Sequence, residues 1–457
     1  MDCVVKNGTV VTADDVMDVD IGIEGEKVAA VGLGLEGDQV IDASGQYVFP
    51  GFIDAHVHLQ MTIGDITSTD DFTTGTIAAA CGGTTTIMDF TSNYRGDNLL
   101  EGVAARRAQA DGRVAVDYTL HLTLPDAAEK TLAQLPILAR AGYASAKFYT
   151  TYEGLRLGDG ELLRLFAATR DCGILPVVHT ENHDAIAYLT GELLRQGNTA
   201  PKYHPMSRPP LVEAETANRV AILAQLVNAP LYIAHVTCRE TLEAVQAARL
   251  RGQKIYAETC PQYLFLSQDD YERPGFEGAK FVLSPPLRDK ANWEVLWQAL
   301  AKRQVQVVST DHCPWYFETH KVRGRDSFAK IPNGAPGIET RVPLLFSEGV
   351  TTKRLSVQQF VDVCATGPAR LFGLYPRKGT IAVGSDADLV IYDPSREVTL
   401  SYKTLHQRVD YCPFEGQVMH GYPRVVLLRG QVIVEDGEFV GRVGQGQFIP
   451  GQTLAYS

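Results

Sequence analysis

Short stretches of alternating apolar and polar residues mark both ends of the chain. At the start they are Cys3–Lys6, Thr9–Thr12, Val19–Glu24, Lys27–Val31 and Val40–Asp42, with Asn7-Gly8, Gly25 and Gly45 at the turn points. Successive side chains of a strand face opposite ways, so this period of two predicts half-buried strands. The pattern returns at Leu389–Tyr392, Arg424–Arg429 and Gln431–Glu435, where Asp436-Gly437 signals a hairpin. From about Gly51 to Leu374 the pattern is different. Apolar runs of strand length occur at Phe52–His58, Thr84–Phe90, Val114–Leu122, Ser145–Tyr149, Ile174–His179, Leu231–His235, Lys254–Thr259 and Val305–Ser309. Amphipathic helical stretches, including 70–80, 99–112, 128–140, 160–172, 211–227, 239–251 and 290–303, separate them.

Eight such runs interleaved with helices predict an α/β fold, a (β/α)8 barrel of the TIM type with insertions. An open doubly wound sheet is the alternative, but no Gly-rich dinucleotide fingerprint is present. The β-rich ends are too short for separate cores. The expected organisation is therefore a small β-sandwich-like domain from 1–50 together with 378–457, and a barrel domain from 51–377. A length of 457 residues, 45% of them hydrophobic, is compatible with both cores.

Charge narrows the partners. A formal net charge of -12 argues against nucleic acid or an anionic membrane, both of which reward basic surplus. No run approaches the ~18 apolar residues of a membrane helix. The first residues lack the basic and apolar regions of a signal peptide. The eight cysteines stand singly with no CxxC pair, as expected of reduced thiols in a cytoplasmic protein.

Candidate chemistry gathers at the ends of the apolar runs. His56 and His58 alternate on one strand and share a face, where two imidazoles can hold one metal ion. His179 ends the fifth run, His235 the sixth, and Asp311 follows the eighth. That end of a barrel is where barrel enzymes place their chemistry. Any one of these alone reads better as a hydrogen-bonded core histidine or a helix-capping aspartate. Together they point to a metal site. Lys147, in the fourth run, leaves two readings open. It is either paired with a carboxylate or a desolvated free amine able to take up CO2 as a bridging carbamate. Asp386 and Asp388 look like paired carboxylates, but their place far along the chain reads as a turn and strand start.

The stretches FPGFIDAHVHL (49–59), CGGTTTIMDF (81–90), ASAKFYTTYEG (144–154), VVHTEN (177–182), YIAHVTC (232–238), AETCPQYL (257–264), LSPPLRDK (283–290), STDHCPW (309–315), IPNGAPGIETR (331–341) and KGTIAVGSDADLVIYDP (378–394) follow one another in order. In them the chain resembles the hydantoinase/dihydropyrimidinase branch of the amidohydrolase superfamily, D-hydantoinases and phenylhydantoinases above all. The resemblance implies an N6-carboxylated Lys147 bridging two divalent metals, usually Zn2+, with Mn2+ or Co2+ also compatible. By the same carry-over His56, His58 and Asp311 serve one metal, and His179 and His235 the other. Tyr152 corresponds to the tyrosine that hydrogen-bonds the carbonyl under attack. Ser284 and Asn333 correspond to positions whose main-chain groups pair with ring amides.

The implied reaction is hydrolytic opening of a cyclic amide, a hydantoin or 5,6-dihydropyrimidine, to an N-carbamoyl amino acid. In it a hydroxide held between the metals attacks, and Asp311 carries the proton to the leaving nitrogen. Gln60 stands where dihydroorotases usually carry Arg, which argues against that substrate. Leu59, Met61, Ile63, Tyr94, Tyr152, Leu155 and Leu157 suggest an apolar surround for a 5-substituent, although any of them reads equally as packing. Allantoinase is the nearest competing activity, and a non-catalytic scaffold of the dihydropyrimidinase-like kind is the competing class. Relatives are commonly homotetramers, and Asp410–Gly416 and the C-terminal segment to Ser457 resemble their subunit-contact regions.

Overall fold

The computed structural model describes residues 1–454. Its centre is a ring of eight strands: β1 (Phe52–Asp54), β2 (Thr84–Phe90), β3 (Asp117–Thr123), β4 (Ser145–Tyr149), β5 (Leu175–His179), β6 (Leu231–Ile233), β7 (Ile255–Thr259) and β8 (Val307–Val308). Each pairs in parallel with its neighbours in chain order. The ring closes just beyond β1 and β8, where Val57 bridges His312 and the His58 amide donates to the His312 carbonyl at 2.8 Å. The fold is the expected (β/α)8 barrel. Its interior is packed by Ala55, Met88, Leu175, Val177, Tyr232, Ala234, Val307 and Phe372, so the barrel is a core and not a pore.

Three strands are shorter than their apolar runs predict, stopping at Asp54, Ile233 and Val308 instead of His58, His235 and Ser309. Buried carboxylates take over the backbone donors there. Asp54 Oδ1 accepts from the amides of His56 at 3.3 Å and Thr310 at 3.1 Å, and Glu258 Oε1 from that of His235 at 3.1 Å. The predicted helices are present; of those not foreseen the longest is His183–Arg195, capped by Asn182 and burying only Ile186. Among the described residues no helix is long and apolar enough to cross a membrane.

Both chain ends enter a seven-stranded sheet ordered Glu438–Phe439, Gln431–Glu435, Val418–Leu428, Leu389–Thr399, Tyr47–Pro50, Thr9–Val11 and Val16–Asp18. A four-stranded sheet, Lys27–Gly32, Asp20–Glu24, Cys3–Lys6 and Gln39–Asp42, packs against it. Val5, Ile21, Ile23 and Val28 of the smaller sheet meet Val10, Val48, Leu389, Ile391 and Leu427 of the larger. The chain then passes from Tyr47–Pro50 into β1 through Gly51 alone. Within the segment Asp410–Gly416, Tyr411, Cys412 and Phe414 are buried within the chain, while Glu415 and Gly416 are exposed. The last three residues of the segment to Ser457 lie outside the described residues.

Candidate metal centre

His56 and His58 follow β1, Lys147 lies in β4, His179 ends β5, His235 follows β6 and Asp311 follows β8. All six line one cavity of about 610 Å3 at the C-terminal mouth of the barrel. His56 Nε2 and His58 Nε2 stand 3.3 and 3.1 Å from the same Asp311 Oδ1. Lys147 Nζ is 3.3 Å from His56 Nε2. The rings of His179 and His235 are 4.5 Å apart, and those of His56 and His235 5.5 Å. Three site residues hold left-handed backbone conformations that non-glycine residues seldom adopt: His235 at φ 37°, Asp311 at 52° and Tyr152 at 74°.

The imidazoles are prepared as lone-pair donors. Burial holds His56, His179 and His235 below the ordinary histidine range, with nearby Lys147 adding to the effect. His56 Nδ1 is bound to Glu258 Oε1 at 2.8 Å and His179 Nε2 to Glu181 Oε2 at 2.8 Å, so His56 turns Nε2 towards Asp311 and Lys147, and His179 keeps Nδ1 uncommitted. The buried His235 Nδ1 makes no hydrogen bond. The other buried histidines differ. His121 binds Ser145 and Ala55, and His312 binds Asp70 and accepts from the Gly337 amide, so their ring nitrogens are committed. Lys147 is buried and has no carboxylate ion-pair partner among the described residues. Burial draws its amine down to about 8 against the pull of Asp311 and Glu258. An available amine, free imidazole nitrogens and a carboxylate form a donor set that fits divalent metal ions.

The substrate side lies on the same cavity. The Tyr152 ring is 5.1 Å from that of His179, and burial raises its phenol above the ordinary range. Ser284 Oγ donates to Asn333 Oδ1 at 3.2 Å. The main-chain N–H and C=O of Ser284 make no hydrogen bond among the described residues, whereas the Asn333 carbonyl accepts from the Trp315 indole at 2.8 Å. Met61, Ile63, Tyr94 and Leu155 line the mouth, but Leu59 and Leu157 are buried outside it and act in packing.

A model of the amidohydrolase family matches residues 47–433. The chain is 47% identical over 451 residues to the D-hydantoinase of Rhizobium radiobacter, covering 98% of each. It belongs to the hydantoinase/dihydropyrimidinase branch of the amidohydrolase family. It is also 46% identical to the D-hydantoinase of Geobacillus stearothermophilus over 97% of its own length and 95% of the relative's. The crystal structure of dihydropyrimidinase from Brevibacillus agri NCHU1002 matches with a TM-score of 0.98 at 45% identity, covering 100% of both chains.

Reading the sequence of this amidohydrolase for metal ligands overlooks the residues that orient them. Glu258 holds His56, the His235 amide, the Tyr232 hydroxyl at 2.8 Å and the Ser309 hydroxyl at 2.9 Å. Glu181, drawn down to about 2 because Arg208 and His179 outweigh its burial, is bound by Arg208 at 2.7 Å. The signal for both was a glutamate at a strand end, within AETC and two residues after His179. Asp386 and Asp388 are structural, each paired with the buried Lys378 at 2.9 and 2.6 Å.

Proposed function

We propose that this enzyme opens the ring of a hydantoin or 5,6-dihydropyrimidine by hydrolysis, giving an N-carbamoyl amino acid. Lys147 carries the reading: a buried amine without a carboxylate partner, in reach of the histidines. As an N6-carboxylate it would join two divalent metals, Zn2+ first among them, with His56, His58 and Asp311 on one and His179 and His235 on the other. When bound, such ions polarise a carbonyl and bring the pKa of water to about 7.

The chain's own groups do the rest. Ser284 and Asn333 hold the amide edge of the ring with main-chain groups. The Tyr152 hydroxyl stays protonated and donates to the carbonyl oxygen as negative charge develops there. Asp311 is kept ionised because His56, His58 and Lys147 outweigh its burial. It accepts a proton from the attacking water and delivers it to the ring nitrogen as the C–N bond breaks. Met61, Ile63, Tyr94 and Leu155 receive an apolar 5-substituent.

Rates on hydantoin, 5-phenylhydantoin, dihydrouracil and allantoin, with metals counted per chain, test the reading. Turnover of the first three with about two metals per chain is expected. Preference for allantoin would reassign the enzyme, and absence of metal would overturn the site.

Three further readings accompany it. Strands of 1–50 and 378–457 form one domain beside the 51–377 barrel, as their shared sheet and core support. Eight free thiols support a cytoplasmic setting. Exposed Tyr188, Leu211 and Leu226, 67–70% accessible, support assembly into a homotetramer.

A further inference from the structure

Lys321 is a second buried lysine near the cavity, and the proposed chemistry does not use it. Its side chain has no solvent exposure and no carboxylate ion-pair partner among the described residues. Its ammonium donates to three main-chain carbonyls: Val282 at 2.7 Å, Pro332 at 2.8 Å and Gly334 at 2.7 Å. An ammonium has three N–H donors, so all are used. Burial draws the group down to about 7, while three carbonyl dipoles favour its charged form.

The three acceptors are not scattered. Val282 lies two residues before Ser284, and Pro332 and Gly334 flank Asn333. Two loops far apart in sequence are thus tied at one nitrogen atom. The Gly334 amide, which donates to the Val282 carbonyl at 3.1 Å, adds a direct tie. The Trp315 indole holds the Asn333 carbonyl from the same post-β8 segment that carries Lys321.

We propose that Lys321 is a positioning residue for the substrate. Its ammonium fixes the spacing between the main-chain groups of Ser284 and Asn333 and so sets their register on the amide edge of the ring. This rests on the reading of those two residues as the substrate's main-chain partners. Lys321 touches none of the proposed metal ligands through its hydrogen bonds, so its loss acts on binding and not on the metal centre.

The test compares the metal-loaded wild-type enzyme with Lys321→Met and Lys321→Gln on hydantoin, measuring KM, kcat, metals per chain and melting temperature. Methionine removes all three donors, and glutamine restores two on a shorter arm. In Lys321→Met, KM should rise about tenfold, the scale of one lost main-chain hydrogen bond to the ring. Its kcat should stay within about threefold and its metal content should be unchanged. Lys321→Gln should recover part of the KM. The proposal is overturned by an unchanged KM, by a fall in kcat or metal content that matches the change in KM, or by a glutamine variant no better than methionine. Failure of both variants to fold would make Lys321 purely structural and overturn it as well. If the wild-type enzyme opened no cyclic amide, the functional reading itself would fail. Wild-type turnover with an unmoved variant would sink the Lys321 inference alone.

Discussion

Two imidazoles of the metal centre, His56 and His179, are defined by which nitrogen is already committed. Glu258 takes Nδ1 of His56, leaving Nε2 beside Asp311 and Lys147. Glu181 takes Nε2 of His179 and leaves Nδ1. Glu258→Gln should therefore weaken metal binding about 10–100-fold, because an amide can offer an N–H where the ring needs an acceptor. Competition with a chelator measures it, and unaltered affinity would remove Glu258 from the orienting role. Lys147→Ala should lose metal and activity together, with partial return when a short carboxylic acid fills the space. Full activity without the lysine would end the bridging model. Tyr152→Phe should keep its metals and lose about 10²–10³ in kcat, the cost of one donor to a developing oxyanion. The ligands themselves were legible because polar residues ending apolar runs are rare and costly. Lys147 needed the family resemblance, since no local pattern tells a paired lysine from a free one. Its partner-free burial becomes visible only in three dimensions.

At the scale of elements, the apolar runs located every barrel strand but not where each ladder stops. That information is held by Asp54 and Glu258, whose carboxylates replace ladder acceptors; Asp54 does so for Thr310, 256 residues away. No window of local sequence contains such a pairing. Helix His183–Arg195, by contrast, carried a legible signal that was overlooked: Asn182 caps it and Ile186, Leu189 and Leu193 recur at helical spacing, with Ile186 buried and Leu193 packed on the core. The short strands Val16–Asp18 and Tyr47–Pro50 were missed as well. The second of these matters, because it delivers the chain into β1 through Gly51. A Cβ at Gly51 would collide with Thr85 Oγ1 and come within 2.8 Å of Asp388 Cβ. Gly51→Ala should thus cost about 1–3 kcal/mol as overpacking at the seam. The expected signature is a lower melting temperature with turnover per bound metal unchanged. An unshifted melting temperature would mean that the seam relaxes.

At the scale of the whole molecule, that seam is also electrostatic. Lys378 is buried among Asp117 at 2.5 Å, Asp386 at 2.9 Å and Asp388 at 2.6 Å, and Arg429 adds a second cation to Asp117. Asp117 belongs to β3 of the barrel, while Asp388 leads into the strand Leu389–Thr399 of the seven-stranded sheet. The cluster therefore joins barrel to sandwich. In sequence the two aspartates read correctly as a turn and strand start, but their countercharge was hidden in another element. Lys378→Met would leave buried carboxylates short of a cation, a loss of about 3–5 kcal/mol at neutral pH. The pH dependence has a definite sign. Burial alone would raise Asp386, but Lys378 and its other cations outweigh it and hold the carboxyl at about 2. A depressed carboxylate contributes stability that is complete above its unfolded value near 4 and is lost as pH falls towards 2. Without Lys378, Asp386 keeps Lys27 and Arg377, but Asp388 loses its ion-pair partner and is held up by burial, so protonation of Asp388 relieves the variant while loss of the Lys378 pairs weakens the wild type. The gap in melting temperature between the two proteins should be widest above about pH 5 and narrow between about pH 4 and 2. Calorimetric scans across that range decide the point, and a gap independent of pH would show that Lys378 acts by packing rather than by charge.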